Sequence, residues 1–354
     1  MKILVTGHMG YVGTVLTPLL RNAGHEVFGC DSGLFERGAF ALAAFAEPVP
    51  VLADDVRTIT AADLRGIDAI VHLAALSGDS LADPRADTAY GINHLCAVHL
   101  AFAARQAGVS RFLMASTCSN YGQDGDEIID RTGELASSRP YVQSKLWAER
   151  DLAPLADSVF CPVMLRLASV FGLSPRMRLD TVLNNMAARA VTTGLISLKS
   201  DGTSWRPVVH VEDACRAFLA ALDAPMEQVS GRIFNIGNDA HNYRLRDLAQ
   251  IVADTVPCCR LEFAPEEGVD ERSFRVSFQD TERGLSGFRT HWDARRGAEQ
   301  LCEAYSATGL AAEHLEGARF DRAGLVDAMI AAGELAPDLR RLRTADPQLT
   351  AMAS

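Results

Sequence analysis

The sequence contains no long hydrophobic run and little positive charge, and both absences limit what the protein can be. No apolar stretch among its 354 residues approaches the roughly 20 residues that a membrane-spanning helix needs. Lys and Arg total 34 against 45 Asp and Glu, which gives a formal net charge of −11. Because extended contact with nucleic acid requires a basic surface, we expect no nucleic-acid partner. Because no apolar run is long enough to cross a bilayer, we also expect no membrane partner. A small anionic ligand held by a few local arginines is still compatible with this charge.

Paired metal-ligand spacings are also missing. The eight cysteines show no CxxC pattern, and several of them lie in apolar segments. We therefore expect free thiols in a reducing compartment and no metal site. The chain starts with the strand-like segment MKILVTG and not with the apolar region of a secretory signal. These features predict a cytoplasmic protein.

Two kinds of periodicity alternate through the first half of the chain. Apolar or β-branched runs predict strands at residues 2–6, 26–30, 49–52, 69–73, 111–115 and 163–167, and helical spacing predicts helices at 12–23, 89–107 and 141–156. This alternation is typical of βαβ units and predicts an α/β fold with a parallel sheet.

The pattern changes after residue 172. Helices are predicted at residues 181–191, 212–222 and 245–255, and short strands at 196–198, 208–211 and 233–236. The tail, residues 294–354, is rich in Ala, Leu and Arg with helical spacing. It either caps the fold or contacts a partner, and the sequence does not decide between these.

A glycine-rich loop follows the first strand directly. Gly7, Gly10 and Gly13 are spaced GxxGxxG around Tyr11 and Val12, and a helix begins within the motif. Glycine permits the tight turn and the close approach of backbone to a diphosphate, which the helix N-terminus then attracts. This context favours a dinucleotide site.

The second predicted strand ends at Asp31, about 20 residues after the glycine loop, where a carboxylate can bind the ribose hydroxyls of NAD. The same carboxylate would repel a 2′-phosphate. The next residues, Ser32 and Gly33, include no arginine to accept one. The sequence therefore favours NAD over NADP.

Tyr141 and Lys145 carry the candidate chemistry. Four residues apart, they share one face of a predicted helix. A nearby ammonium favours the phenolate of a tyrosine, whose free pKa is near ~10, and so makes it a usable base. Upstream, Ser116 and Thr117 close a predicted strand, where a hydroxyl can hold a substrate oxygen beside the tyrosine.

Taken in order, these motifs resemble the extended short-chain dehydrogenase/reductases, specifically the nucleotide-sugar epimerase/dehydratase group. The motifs are the Gly7/Gly10/Gly13 loop, Asp31, the run 55–57, the HLAA segment at 72–75, Asn93, Ser116-Thr117, Tyr141/Lys145 and the run 206–213. The resemblance implies a Rossmann-type doubly wound parallel sheet with helices on both faces. It implies an NAD-binding domain at residues 1–170, completed by about 206–238. It also implies a smaller substrate-binding lobe with a helical tail at residues 171–205 and 239–354.

The same resemblance assigns roles to individual residues. It implies a catalytic set of Thr117, Tyr141 and Lys145. It implies cofactor contacts from Gly7, Gly10, Tyr11, Val12, Gly13, Asp31, Asp55, Val56, Leu73, Ala74, Ala75, Asn93, Ser116, Tyr141, Lys145, Ala168 and Val170. Its implied substrate contacts are Ser77, Thr117, Cys118, Arg176, Arg178, Asn185, Arg206 and Arg272. Among these, the arginines suit the oxygens of a diphosphate.

The residues after Thr117 depart from several branches of the family. Its 4,6-dehydratases have Asp-Glu directly after the threonine, and its decarboxylases have Glu two positions after it. Here those positions hold Cys118 and Ser119, so loss of water or CO₂ is disfavoured. Members that epimerise C3 or C5 use a cysteine two positions after the hydroxyl, whereas Cys118 lies one position after it.

The resemblance therefore implies an NAD-dependent epimerase that acts on an NDP-sugar by transient oxidation at C4, with 4-epimerisation favoured. Alternatives are C3 or C5 epimerisation, a net 4-ketoreductase, dehydrogenase or dehydratase, and a non-catalytic NAD-binding regulator. It also implies a homodimer formed by the helices predicted at 89–107 and 141–156.

Overall fold

A computed structural model describes residues 1–38, 40, 48–122, 126–135, 138–264, 273–317 and 320–342 of the chain. Its centre is a seven-stranded parallel sheet with the strand order β3-β2-β1-β4-β5-β7-β11. The strands are β1 (Lys2–Thr6), β2 (Glu26–Cys30), β3 (Val51–Ala53), β4 (Ala69–His72), β5 (Arg111–Thr117), β6 (Ile128–Ile129), β7 (Cys161–Leu167), β8 (Ser169–Phe171), β9 (Leu195–Leu198), β10 (Trp205–His210), β11 (Ile233–Ile236), β12 (Asn242–Arg244), β13 (Arg260–Phe263) and β14 (Arg275–Val276). The predicted doubly wound α/β sheet is confirmed.

Helices cover both faces of this sheet. They are α1 (Gly13–Asn22), α2 (Asp79–Ala82), α3 (Ala86–Tyr90), α4 (Cys96–Ala107), α5 (Pro140–Leu152), α6 (Val182–Thr193), α7 (Val211–Asp223), α8 (Met226–Val229), α9 (Leu245–Ala253), α10 (Gln279–Gly284), α11 (Ala294–Ala307), α12 (Ala312–Glu316) and α13 (Arg322–Ala331). Smaller sheets of two or three strands lie beside the main one, with the orders β12-β10-β8, β13-β9 and β14-β6.

The alternation of side chains along β1 shows how the sheet is buried. Ile3 and Val5 join the core that packs against α1 and α7, whereas Leu4 joins the core formed with α4 and α5. Successive side chains of a strand point to opposite faces, so a strand covered on both sides is apolar throughout. This explains the unbroken apolar run at the start of the sequence.

The helix predicted at residues 89–107 differs in detail. The helical segment begins earlier, at Ala86, and a π-helical turn (Gly91–Leu95) separates α3 from α4. The Asn93 side chain, in this turn, accepts a hydrogen bond from the Leu76 amide and donates to the Leu76 carbonyl. These partners lie far along the chain, so local periodicity could not reveal the wider turn.

Strand predictions failed where the strands are short or polar. The strand predicted at 208–211 begins at Trp205, because its first residues pair antiparallel with β12. The strands β6, β8, β12, β13 and β14 were not predicted, since runs of two to four residues seldom establish a period of two.

Two further features concern the same described ranges. No helix there combines the length and the apolar character needed to cross a bilayer. Nor do three or more His, Cys, Asp or Glu side chains come together there as candidate metal ligands.

Candidate active site

A cavity of about 1240 Å³ opens at the carboxyl ends of β1, β2, β4 and β5. Most residues singled out in the sequence line it: Gly7, Gly10, Tyr11, Val12, Gly13, Asp31, Asp55, Val56, Leu73, Ala74, Ala75, Ser77, Ser116, Thr117, Tyr141, Lys145, Ala168, Val170, Arg178 and Arg206. Such a volume exceeds what one drug-sized ligand requires, so it suits two extended ligands side by side.

Two glycines of the loop, Gly7 and Gly13, are packed too closely for any other residue. Gly7 has a φ of +74°, and its amide donates to the Cys30 carbonyl at 2.7 Å. A Cβ on Gly13 would lie 2.2 Å from the Gly7 carbonyl oxygen. A Cβ on Gly10 would meet only that same oxygen, at 3.1 Å, so the outer surface of the loop is open. The loop and the start of α1 thus form a cradle that fits a diphosphate.

Acidic side chains lie at the far end of the cavity. The Asp31 carboxylate accepts hydrogen bonds from the Met9 and Gly33 amides, at 3.0 and 2.9 Å, which fixes it at the end of β2. The Asp55 carboxylate pairs with the Arg57 guanidinium at 2.6 Å. Burial opposes the charge of Asp55, but the hydrogen bonds from Arg57 keep its pKa below the usual value.

Tyr141 and Thr117 meet on the opposite wall. Burial raises the pKa of the Tyr141 phenol, whereas the charge of Arg178 and hydrogen bonds with Ser77 and Thr117 lower it. The sequence pattern predicts Lys145 as the cation that tunes this phenol. In the folded chain, Arg178 has the largest effect among the charged groups.

Arg178 is held by neighbours on two loops. Its guanidinium donates to the Ser77 hydroxyl at 2.6 Å and to both carboxylate oxygens of Asp180, at 3.0 and 2.5 Å. The ion pair with Arg178 overcomes the burial of Asp180 and lowers its pKa to about 2. A permanently charged guanidinium is thereby fixed near Tyr141.

Lys145 is buried, and its Nζ has no hydrogen-bond partner in the described chain. Burial lowers its pKa to about 8, against the opposing charge of Glu149. An unpaired ammonium facing a cavity is costly without a ligand. The ribose hydroxyls of a nicotinamide nucleotide would supply the missing acceptors, so the residues present fit an NAD cofactor.

A buried ion pair supports this wall from below. Glu149 on α5 and Arg166 on β7 approach to 2.6 Å, with side chains 4% and 1% exposed. The Ser116 hydroxyl donates to Glu149 at 2.5 Å. Ser116 therefore touches the cavity but uses its hydroxyl beneath it, whereas the next residue, Thr117, faces the site.

Four predicted contact residues do not line the cavity. Asn93 bonds the Leu76 backbone, and Asn185 donates to the Leu179 carbonyl. The Arg176 guanidinium donates to the backbone carbonyls of Met9, Phe35 and Glu36. The Cys118 thiol donates to the Arg166 carbonyl at 3.2 Å, and burial raises its pKa. These four support loops around the site, while Arg272 lies outside the described residues.

Several cavity residues were missed. Arg139 and Asp79 form an ion pair on the wall, and Asp180 holds Arg178. Arg322 and Leu339 come from the tail, so part of the tail caps the cavity. The high arginine content of the tail was visible, but nothing in the sequence indicated where the tail folds back.

The chain is similar to known proteins over most of its length. Residues 3–237 match the model described as the NAD-dependent epimerase/dehydratase family. The UDP-glucose 4-epimerase of Bacillus subtilis (strain 168) is 25% identical over 334 residues, which are 85% of this chain and 95% of that protein.

Solved structures are similar to the chain in fold as well. MoeE5, in complex with UDP-glucuronic acid and NAD, is 27% identical with a TM-score of 0.72, over 87% of this chain and 100% of that chain. DesIV, a dTDP-glucose 4,6-dehydratase from Streptomyces venezuelae, is 24% identical with a TM-score of 0.74, over 88% of this chain and 99% of that one. The second likeness concerns the fold alone.

Lys145→Met tests the cost of the buried ammonium. Without nucleotide, we expect the variant to be more stable than the wild type at pH 7, because an unpaired charge is replaced by an apolar side chain of similar length. The unfolded chain keeps the lysine proton up to a pKa near ~10.4, whereas the fold releases it at about 8. The free energy of unfolding of the wild type should therefore rise as the pH increases through this interval. The difference in stability between Lys145→Met and the wild type then becomes smaller.

Urea unfolding of nucleotide-free protein at pH 7 and pH 10 measures this gap. The exposed Lys199 provides the control, and Lys199→Met should leave stability nearly unchanged at both pH values. A Lys145→Met protein less stable than the wild type at pH 7 would contradict the prediction.

Proposed function

The chain belongs to the NAD-dependent epimerase/dehydratase family, and we propose that within it the protein is an NDP-sugar 4-epimerase. The resemblance stated from the motifs is confirmed, as are the enzyme class and the NAD cofactor. The proposal is carried by one observation: Thr117, Tyr141 and Lys145 line a single cavity, and the residues that follow Thr117 are not acids.

Tyr141 is the proposed base. The Arg178 charge favours the phenolate form of Tyr141, which takes the proton of the sugar 4-hydroxyl and becomes a phenol. Thr117 holds the oxygen at C4, and Lys145 binds the nicotinamide ribose. NAD, when bound, supplies the hydride chemistry. A 4-epimerase needs only that the oxidised sugar turn over in the cavity before C4 is reduced from the other face.

The surroundings of Thr117 support a reaction without elimination. Cys118 is buried under the wall with its thiol on a backbone carbonyl, and Ser119 carries no acid. Two nearby carboxylates are engaged, Asp79 with Arg139 and Asp180 with Arg178. No free acid is therefore seen beside Thr117 among the described residues that could expel a hydroxyl as water.

An NDP-sugar is the proposed substrate class. Arg206 lines the cavity, is 4% exposed and lies with its guanidinium carbon 5.9 Å from the centre of the Phe274 ring. The planar guanidinium suits two oxygens of a diphosphate. The residues of the cavity walls determine which base and which sugar are bound.

The first experiment follows the products. Purified protein is incubated without added cofactor with UDP-, dTDP-, GDP- and CDP-sugars, and products are identified by NMR while absorbance near 340 nm is recorded. A C4 epimer with no net change in absorbance supports the proposal. Accumulated NADH, or loss of water or CO₂, contradicts it in favour of a dehydrogenase, dehydratase or decarboxylase. No turnover despite bound NAD would favour a regulator.

Tyr141→Phe is expected to lower kcat by about 10²- to 10⁴-fold, the usual contribution of a general base, because the variant lacks the hydroxyl that takes the 4-hydroxyl proton. Affinity for NAD should stay within a factor of about three, since the phenol is not its main anchor. Tyr90→Phe is the matched control, because its hydroxyl bonds Gln143 outside the cavity. Retention of turnover by Tyr141→Phe would contradict the mechanism.

We also propose that two chains associate through α4 and α5. Three large apolar side chains are exposed on this face: Leu95 is 62% exposed, Phe102 52% and Trp147 37%. Burying them would supply an apolar contact between two-fold-related copies. Light scattering should give twice the chain mass of 38.2 kDa, and Phe102→Glu should give one chain mass. A wild-type monomer at micromolar concentration would contradict the proposal.

A further inference from the structure

The side chain of Arg322 lines the cavity, but Arg322 belongs neither to the glycine loop nor to the wall formed by Thr117, Tyr141 and Lys145. It is the first residue of α13 and is partly buried. Its guanidinium carbon lies 4.5 Å from the centre of the Phe35 ring, which orients the side chain. Within the described ranges, Arg322 takes part in no hydrogen bond or ion pair.

The neighbouring charges leave Arg322 without a counterion of its own. Burial and the charge of Arg178 lower its pKa to about 9, while Asp180 and Asp31 act in the opposite direction. Both oxygens of Asp180 already accept from Arg178, and those of Asp31 accept from backbone amides. A guanidinium in this position is stabilised by an anion that enters the cavity.

The position of Arg322 identifies the anion. Arg322 lies over Phe35, and the Arg176 guanidinium donates both to the Phe35 carbonyl and to the carbonyl of Met9 in the glycine loop. The cradle of Gly10 and the start of α1 follows Met9 directly and fits the dinucleotide diphosphate. We propose that Arg322 binds the diphosphate of NAD from the side opposite the glycine loop.

The tail is attached so as to hold Arg322 there. Arg341 donates to the Ser32 and Gly33 carbonyls at 2.8 and 2.9 Å, and Arg57 donates to the Asp338 carbonyl at 2.6 Å. Leu339 is buried and lines the cavity from the same segment. The tail thus bonds the loop that follows β2, and this attachment brings α13 and Arg322 to the cavity.

This inference rests on the NAD-binding part of the proposed function and is independent of which sugar carbon is inverted. The test compares Arg322→Gln and Arg322→Lys with the wild type, all stripped of nucleotide. The control is Arg37→Gln, which removes an exposed arginine that pairs with Glu334 of the same tail and does not line the cavity. Calorimetry measures binding of NAD, ADP-ribose, adenosine and UDP, and thermal unfolding with NAD gives a second readout.

Arg322→Gln should weaken binding of NAD and of ADP-ribose by about 10- to 100-fold, the range of a charge-assisted hydrogen bond, and leave adenosine unaffected. NAD should raise the unfolding midpoint of this variant less than that of the wild type. Arg322→Lys should recover part of the affinity, and Arg37→Gln should match the wild type.

Wild-type affinity of Arg322→Gln for NAD and ADP-ribose would overturn the inference. So would an equal loss for adenosine, which would mean general damage, or a loss confined to UDP, which would assign Arg322 to the sugar nucleotide. If Arg322→Gln does not fold, Arg322→Lys decides the matter: weaker binding of NAD and ADP-ribose with unchanged binding of adenosine supports the inference, whereas wild-type affinity for all three ligands, or an equal loss for adenosine, contradicts it. Failure of the wild type to bind NAD or ADP-ribose would instead contradict the proposed function.

Discussion

The Glu149–Arg166 ion pair beneath the cavity joins the elements that carry Thr117, Tyr141 and Lys145 to the cavity wall. Arg166 also donates to the Tyr121 hydroxyl at 2.7 Å, and Tyr121 donates to Asn235 on β11. Removing one member of such a buried pair leaves an uncompensated charge, at a cost of about 3–5 kcal/mol. The network therefore fixes β5, α5, β7 and β11 relative to one another, where Thr117 and Lys145 emerge.

The chain alone does not favour the charged forms of Tyr141 and Lys145 on the cavity wall. Burial opposes both the phenolate of Tyr141 and the ammonium of Lys145, so neither charged form is favoured by the fold alone. Arg178 offsets part of this cost for Tyr141 because Asp180 and Ser77 fix its guanidinium. A bound cofactor and substrate that carry hydroxyls and phosphates would therefore stabilise these buried charges.

Local sequence was informative wherever a function depends on neighbours within a few residues. The glycine loop was found because Gly7 and Gly13 must lie almost in contact, which forbids a Cβ. Tyr141 and Lys145 were found because a helix places residues four apart on one face. The bonds of Asn93 to Leu76 were not predicted, since they depend on how the π-helical turn meets a loop 17 residues earlier in the chain.

The sequence by itself determined the α/β class, the positions of the main strands, the glycine loop and the Tyr141–Lys145 pair of the proposed mechanism, because periodicity and short motifs are properties of adjacent residues. Only the tertiary structure decided that Arg178 is the main charge acting on Tyr141, that Arg176 serves backbone carbonyls, and that the tail brings Arg322 to the cavity. Such contacts join residues that are far apart in the sequence, as Arg178 is from Tyr141 and Arg322 from Phe35. They arise from how the elements pack, and no local pattern encodes them.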